Sequence, residues 1–151
     1  MAKFIYRMQS ILDIKVKLET QARMQFATAK HILNEEEEKL ERLYKRKEDY
    51  IEEARKSRSD VLNVKELRES KAAIQTMDDF IVMQMKQVEK AAQAVEEARE
   101  RLEEVMKERK THEKLREKSF EEFKVEINHE ESKEIDELTS YTYGQKQKEH
   151  R

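Results

Sequence analysis

The sequence has no cysteine, no proline, no tryptophan and a single glycine among its 151 residues. Without cysteine there can be no disulfide bond, no thiol nucleophile and no cysteine-based metal site. Because proline and glycine are the residues that most often interrupt helices, almost nothing in this chain opposes long helices. The missing residue types therefore favour a helical protein and exclude a disulfide-stabilised one.

Apolar residues are also scarce, since hydrophobic types make up 36% of the chain and charged types 44%. This is too little apolar material for a globular core of this size, but it is enough for a narrow interface between two helices. The chain has no apolar run of about 18 residues, so no membrane-spanning helix is expected. The N-terminus lacks the features of a signal peptide. We therefore expect a soluble cytoplasmic protein without a buried pocket.

The charges are nearly balanced, with 32 basic and 34 acidic residues and a net charge of −2. A protein whose main partner is nucleic acid usually carries a marked excess of basic residues. We therefore expect no nucleic acid among the partners.

A line of residues at alternating spacings of three and four runs through residues 67–105. Ten of its twelve members are apolar. This is the pattern of the a and d positions of a coiled coil, which we call the seam. The members are Leu67, Ser70, Ile74, Met77, Ile81, Gln84, Val88, Ala91, Val95, Ala98, Leu102 and Val105. A helix this long cannot fold back on itself, so its seam requires a partner helix.

The N-terminal part of the chain carries a matching line, in which eleven of fifteen residues are apolar. The polar members are Lys15, Glu19, Glu36 and Lys47. The apolar members are Ile5, Met8, Leu12, Ala22, Phe26, Ala29, Leu33, Leu40, Leu43, Tyr50 and Ala54. Polar residues at seam positions lower stability but can fix the register of two helices.

The periodicity breaks around Ser57, Ser59, Asp60 and Asn63, which are residue types typical of helix caps and turns. We predict helix one over about 3–58, a turn over about 58–63 and helix two over about 64–130. A short turn between two long helices predicts an antiparallel pair. Residues 131–151 lose the pattern and are expected to be frayed or disordered. The predicted fold is all-α, a single long antiparallel two-helix coiled-coil hairpin over residues 1–151.

Two registers satisfy the seam, in which the numbers of facing residues sum to about 124 or, one heptad later, about 131. The first register places Lys15 opposite Arg109 and Glu19 opposite Val105, and the second places Lys15 against Arg116. In both registers the core near the chain ends is poor. Apolar residues nevertheless flank it, namely Phe4, Ile11, Leu18, Phe120 and Ile127. A polar core beside an apolar flank indicates a surface that binds a partner.

The broad apolar face of residues 3–18 has three interpretations. It can widen the seam at the end of the hairpin, it can dock another protein, or it can form an amphipathic helix at a membrane surface. Asp13 and the directly continuing coiled coil argue against the membrane.

The chain shows no sign of a catalytic or metal site. His31, His112, His129 and His150 are scattered and lack the spacing of metal ligands. There is no phosphate-binding loop and no nucleophile elbow. We therefore expect neither enzymatic activity nor a cofactor.

Two short phrases resemble those of a known family. Residues 4–15, FIYRMQSILDIK, resemble the F-x-(F/Y)-R-L-Q-x-(L/I)-L-D-(L/I)-K opening of the FliJ family. Residues 133–138, KEIDEL, resemble the closing K-x-x-D-E-(L/F) of that family. The resemblance also covers the length and the hairpin seam. FliJ proteins are soluble components of the bacterial flagellar type III export apparatus.

The resemblance implies a coiled-coil shaft similar to the central subunit of rotary ATPases. It implies that the helix ends bind and stimulate a hexameric export ATPase, and that the turn-side half binds the cytoplasmic part of the membrane export gate. Export chaperones are implied as further partners, and the location as cytoplasmic, peripheral to the inner face of the cell membrane at the flagellar base. The implied ATPase-binding residues are Phe4, Tyr6, Arg7, Ile11, Leu12, Leu18, Phe120, Asp136, Glu137 and Leu138. The implied gate-binding residues are Leu43, Tyr50, Met77, Phe80 and Gln84.

The sequence is also compatible with three other functions. The chain could be the injectisome counterpart of such a protein, a stalk subunit of a rotary ATPase, or a structural coiled coil without these partners. A purely structural coiled coil would not need an apolar flank beside a polar core.

Overall fold

The computed structural model describes residues 2–59 and 63–149 of the chain. They form two helices, α1 from Gln9 to Ser59 and α2 from Val64 to Glu149. Over these residues there is no strand, so the all-α prediction is confirmed. Asp60 of the predicted turn lies outside the described residues, as does His150.

The start of α2 is set by Asn63. Its side-chain oxygen accepts a hydrogen bond of 3.0 Å from the backbone N–H of Lys65, and its carbonyl accepts one of 3.1 Å from Leu67. An asparagine in this role satisfies one of the N–H groups that the first turn of a helix leaves without a partner. The helix therefore begins one residue later, at Val64, as the capping pattern predicts.

The start of α1 differs from the sequence pattern, which placed it near residue 3. The backbone N–H of Gln9 donates to the carbonyl of Tyr6 at 3.2 Å, and the residues before this turn are not helical. The reason is that the Phe4 ring packs against Phe120 and Phe123 of α2, and the segment that carries it is not helical. Ile5 and Met8 are consequently exposed instead of lying in the seam.

The end of α2 also differs, because the helix continues past residue 130 to Glu149. Lys, Glu and Gln recur in this stretch, which also contains Leu138, and all four residue types are good helix formers. Gly144 sits within the helix without a positive φ. Intrinsic propensity therefore extends α2 where no seam pattern is present, with every side chain of residues 131–143 exposed.

The chain divides into two compact units. The first, which we call the terminal unit, contains the residues up to Glu19 and those from Val105 onward. The second, the turn unit, spans Thr20–Glu104. In each unit a part of α1 packs against a part of α2.

The pairing is antiparallel within both units. In the terminal unit Gln9 contacts Arg116 and Lys15 contacts Glu108, so the residue number on α2 falls as that on α1 rises. In the turn unit Glu36 contacts Gln84 while Lys47 contacts Asp78. These pairs agree with the predicted sum of about 124 and not with about 131. The fold is that of an antiparallel two-helix coiled-coil hairpin.

The predicted seam is the observed core. From Leu12 to Ala54 in α1 and from Leu67 to Val105 in α2, every predicted seam residue is buried or half-buried. Burial is most complete at Val105, Ala22 and Ala54. Two helices can enclose only one stripe of each other, which is why many seam residues remain half-buried.

Candidate partner-binding surfaces

The terminal unit contains an aromatic cluster that joins the segment before α1 to α2. The ring of Phe4 lies 5.1 Å from that of Phe120 in an edge-to-face arrangement and 5.3 Å from that of Phe123. The guanidinium of Arg116 lies 5.6 Å from the Phe4 ring, and the Lys124 ammonium lies 4.7 Å from that of Phe120. Such contacts favour a fixed position for Phe4. Part of the apolar face of residues 3–18 therefore widens the core.

Ion pairs fill the polar seam of the terminal unit. The Lys15 ammonium lies 2.9 Å from a carboxylate oxygen of Glu108. Arg109 binds Glu19 across the seam, and it binds Glu113 at 2.8 Å on its own helix. The hydrogen bond that Arg109 donates to Glu19, followed by the charges of Glu19 and Glu113, raises the pKa of Arg109.

The core near the chain ends is polar, as the sequence pattern predicts, but its charges are paired. A comparison of a and d positions alone could not find Glu108 and Glu113, because they lie beside the seam. The i+4 spacing from Arg109 to Glu113 was the available signal. One group remains unsatisfied: His112 Nδ1 is buried and has no hydrogen-bond partner within residues 2–59 and 63–149.

Apolar side chains are exposed around this charged core. Ile5 is 82% exposed, and Met8, Ile11 and Leu115 are also exposed. A groove of about 530 Å³ lies between the segment before α1 and α2. Its apolar walls are Phe4, Ile5, Met8, Leu115 and Phe123. Apolar side chains gathered at an open groove are a common feature of protein-binding surfaces.

The structure brings together only some of the residues implied as ATPase-binding. Phe4 and Phe120 are in contact, Tyr6 and Leu18 are half-buried, and Arg7 and Ile11 are exposed. Leu12 is only 6% exposed and belongs to the core. Asp136, Glu137 and Leu138 are exposed and lie about 24 Å along α2 from Phe120, at 1.5 Å per residue. They form a separate element of the surface.

In the turn unit, four of the five residues implied as gate-binding line one groove. Leu43, Met77, Phe80 and Gln84 meet there, together with Arg46, Met83 and Gln87. Phe80 is exposed, whereas Met77 is buried in the core. Tyr50 is half-buried further along α1. Met83 and Arg46 were not among the implied residues. For Met83 the available signal was the run FIVMQM at 80–85, in which five of six residues are large and apolar.

Gln84 has its side-chain amide engaged within the fold. The amide donates to the backbone carbonyl of Glu36 at 2.9 Å and also to the Glu36 carboxylate. The hydrogen bond from Gln84 to the carboxylate, followed by the hydrogen bond and the charge of Lys39, lowers the pKa of the Glu36 carboxyl. The pair lies across the seam, so Gln84 sets the helix register as well as lining the groove.

Cations line the α1 side of the same groove. An adjoining hollow of about 650 Å³ includes Lys39, Arg42, Lys45 and Arg46, with Asp49 as the acidic member. The surface therefore combines apolar side chains with a basic border. This combination fits an apolar and acidic segment of another protein.

The described residues contain neither a cluster of metal ligands nor a membrane-spanning stretch. No three His, Asp or Glu side chains in residues 2–59 and 63–149 come together in a way that could hold a metal ion. Over the same residues, neither helix contains a stretch long and apolar enough to cross a membrane.

Comparisons with known proteins agree with the architecture. The model of the family described as "Flagellar FliJ protein" matches residues 4–148. No curated protein matches the chain. Among solved structures, a candidate YscO homologue from Chlamydia trachomatis is similar with a TM-score of 0.57 and 21% identity, covering 93% of this chain and 96% of the other. At that identity the likeness supports the fold alone.

Proposed function

The chain belongs to the flagellar FliJ family, whose members are components of type III protein export, and on that premise we propose that it binds two partners. Its terminal unit binds the hexameric export ATPase. Its turn unit binds the cytoplasmic part of the membrane export gate. The protein acts as a coiled-coil shaft at the inner face of the membrane, and export chaperones are further partners.

The exposed apolar surface of the terminal unit carries this proposal. Ile5, Met8, Ile11 and Leu115 lie in solvent beside a core held by the Lys15–Glu108 and Glu19–Arg109 pairs. Such a surface costs free energy in water and gains it when a partner covers the apolar side chains. Because the aromatic cluster already fixes Phe4, the docking contacts come from its exposed neighbours.

The proposed effect on the ATPase is thermodynamic. A ligand that binds an assembled ring but not its separate subunits stabilises the ring by mass action. Binding of the terminal unit therefore favours the active hexamer, and this chain supplies no catalytic group. Asp136, Glu137 and Leu138 add a second contact further along α2.

The proposed gate-binding surface is the groove that contains Leu43, Phe80 and Met83 with its basic border. Met83 suits such a role because the unbranched thioether adapts to different partner shapes. The flagellar description of the family favours this system over the injectisome counterpart.

The ATPase contact is tested with the double variant Ile5→Ser/Ile11→Ser. Both side chains are exposed, so we expect a melting temperature within about 2 °C of the native value and a loss of both pull-down of the ATPase and its stimulation. The matched control is Met24→Ser/Ile32→Ser, which removes two exposed apolar side chains from the turn unit and should retain stimulation. Unchanged stimulation by the first variant would place the docking surface elsewhere, whereas a large fall in melting temperature would mean that these residues only widen the core.

The gate contact is tested with Phe80→Ser/Arg46→Glu and the isolated cytoplasmic part of the gate. We expect weaker binding to the gate and normal stimulation of the ATPase. Retention of gate binding would contradict the assignment of this groove.

A further inference from the structure

The run FIVMQM in α2 has more apolar surface than one partner can cover. Ile81 lies in the core at 6% exposure, but Phe80, Val82, Met83 and Met85 are between 48% and 64% exposed. A helix that is apolar on all sides is normally enclosed on all sides, and α1 covers only the seam. Each flank of the seam is therefore left with a pair of large apolar side chains.

The two pairs lie on opposite flanks. Phe80 and Met83 line the groove with Leu43 and Arg46, which the proposed function assigns to the gate. Val82 and Met85 line a different groove of about 590 Å³, with Leu40, Val88, Lys86 and Glu89. The Tyr44 hydroxyl lies 3.8 Å from the sulfur of Met85 and extends this second groove onto α1. We call the second surface the Tyr44 face, and it lies outside the proposed function.

The Tyr44 face is bordered by acidic residues on α1. Glu37, Glu41, Tyr44 and Glu48 follow one another at spacings of four, three and four, which places them along one side of a helix. All four are exposed. On the other side of α1, Lys39, Arg42 and Arg46 occupy the equivalent stretch. The same turns of the helix are thus acidic on one flank and basic on the other.

The cations near the Tyr44 face do not cancel this charge. The Lys47 ammonium lies 2.6 Å from Asp78 and is neutralised by it. Lys86 and Glu89 border the groove on α2 and offset each other. The three glutamates of α1 therefore give the face a net negative charge.

We propose that the Tyr44 face docks a basic amphipathic helix of a second partner protein. Apolar side chains one turn apart on that helix enter the groove between Tyr44 and Val82, and its Lys or Arg residues reach Glu37, Glu41 and Glu48. A helix laid into a groove is a common form of peptide recognition, and opposite charges orient it. Met85 adapts the floor of the groove to its ligand.

Another copy of this chain fits the face less well. The basic flank of one copy could lie on the acidic flank of the next, but such a head-to-tail contact does not close and would produce open chains of molecules. A membrane also fits poorly, because anionic lipids are repelled by an acidic surface.

The test uses the full chain and a fluorescent synthetic peptide of about 18 residues, long enough to form a helix on contact. The peptide carries Leu on one helical face and Lys on the other. A scrambled peptide of the same composition, and one with Glu in place of Lys, measure the contributions of helix and charge. We expect binding of the first peptide, at least tenfold weaker binding of the other two, and weakening by added salt.

Two variants locate the site. Val82→Ser/Met85→Ser and Glu37→Lys/Glu41→Lys/Glu48→Lys should each weaken binding of the first peptide at least tenfold. Phe80→Ser/Met83→Ser, the matched pair on the opposite flank, should not. All the substituted side chains are exposed, and melting curves check that each variant remains folded.

Three results would overturn the proposal. Equal binding of the ordered and scrambled peptides would mean non-specific attraction. A larger effect of Phe80→Ser/Met83→Ser would place the peptide on the opposite flank. Concentration-dependent self-association that Arg42→Glu/Arg46→Glu abolishes would identify a second copy as the occupant. None of these results depends on whether the ATPase or the gate binds where we propose.

Discussion

At the scale of single residues, the polar members of the seam decide how the helices meet. Gln84 and Glu36 are bonded across the turn unit, and Arg109 and Glu19 across the terminal unit. In an apolar seam the helices could slide by a heptad at little cost, but a slip here would separate these pairs. Polar seam residues lower the stability of the helix pair, but they restrict the two helices to a single register.

Glu36 makes stability depend on pH in a predictable direction. Its pKa is lowered in the folded protein from the ordinary value of 4.5, chiefly by the hydrogen bond from Gln84. A lowered folded pKa contributes stability that is present above the unfolded pKa and is lost as the pH falls through the folded value. At pH 7 the native chain should therefore melt at a higher temperature than Glu36→Gln. This difference should shrink as the pH is lowered from 7 to below about 4. The control is Glu38→Gln, at an exposed glutamate of the same run. A difference in melting temperature between the native chain and Glu36→Gln that stays constant with pH would contradict the prediction.

Arg109 and Glu19 should behave as a pair. Arg109→Met alone removes the guanidinium that pairs with the buried carboxylate of Glu19, so we expect a clearly lower melting temperature. Glu19→Met/Arg109→Met removes both charges and should recover the native value or exceed it, because apolar residues of similar size often replace a buried ion pair without loss. A double variant less stable than Arg109→Met would show that the charges act independently.

At the scale of the elements, each helix is held mainly by its partner. Helices of 51 and 86 residues with so many charged side chains have one narrow apolar stripe, and the contacts along it decide whether they pair. Their ends are set differently, two of them by local sequence and the start of α1 by a tertiary contact. Asn63 caps α2, the Phe4 contact shortens α1, and helix propensity extends α2.

Truncation of seam leucines tests the element pairing. We expect Leu33→Ala or Leu102→Ala to lower the free energy of unfolding by about 1–3 kcal/mol, less than in an enclosed core because both side chains are half-buried. Urea titrations followed by circular dichroism measure the change. Glu38→Ala, at an exposed position outside the seam, is the control, and equal effects would mean that the leucines do not support the pairing.

At the scale of the whole molecule, stability should vary along the chain. The core of the turn unit contains mostly apolar layers such as Met77, Ile81 and Ala91, whereas that of the terminal unit contains the Lys15 and Glu19 ion pairs. Residues 131–143 have exposed side chains throughout. Local opening costs least where few apolar contacts must be broken.

Amide hydrogen exchange measures this gradient directly. We expect the slowest exchange in residues 77–91, faster exchange in residues 108–116 and the fastest exchange in residues 131–149. Addition of the export ATPase should slow exchange in the terminal unit, including residues 136–138. Uniform exchange along α2 would contradict the expected difference between its segments.

The sequence by itself determined the fold class, the pairing and the seam of this protein. Heptad spacing is a local property, so burial of residues such as Leu33 or Ile81 follows from the pattern once two helices meet. The cap at Asn63 could likewise be predicted, because capping depends on neighbouring residues. The two terminal phrases indicated the family from the sequence alone.

Only the tertiary structure decided the register, the start of α1 and the composition of the candidate surfaces. The ion pairs of Arg109 with Glu19 and of Lys15 with Glu108 join the two helices, so their geometry depends on side chains from both. Phe4 lies outside α1 because it packs against aromatic side chains of α2 that are more than a hundred residues away in the sequence. Heptad spacing describes one helix at a time, and it cannot show which apolar side chains outside the seam remain exposed after both helices have packed.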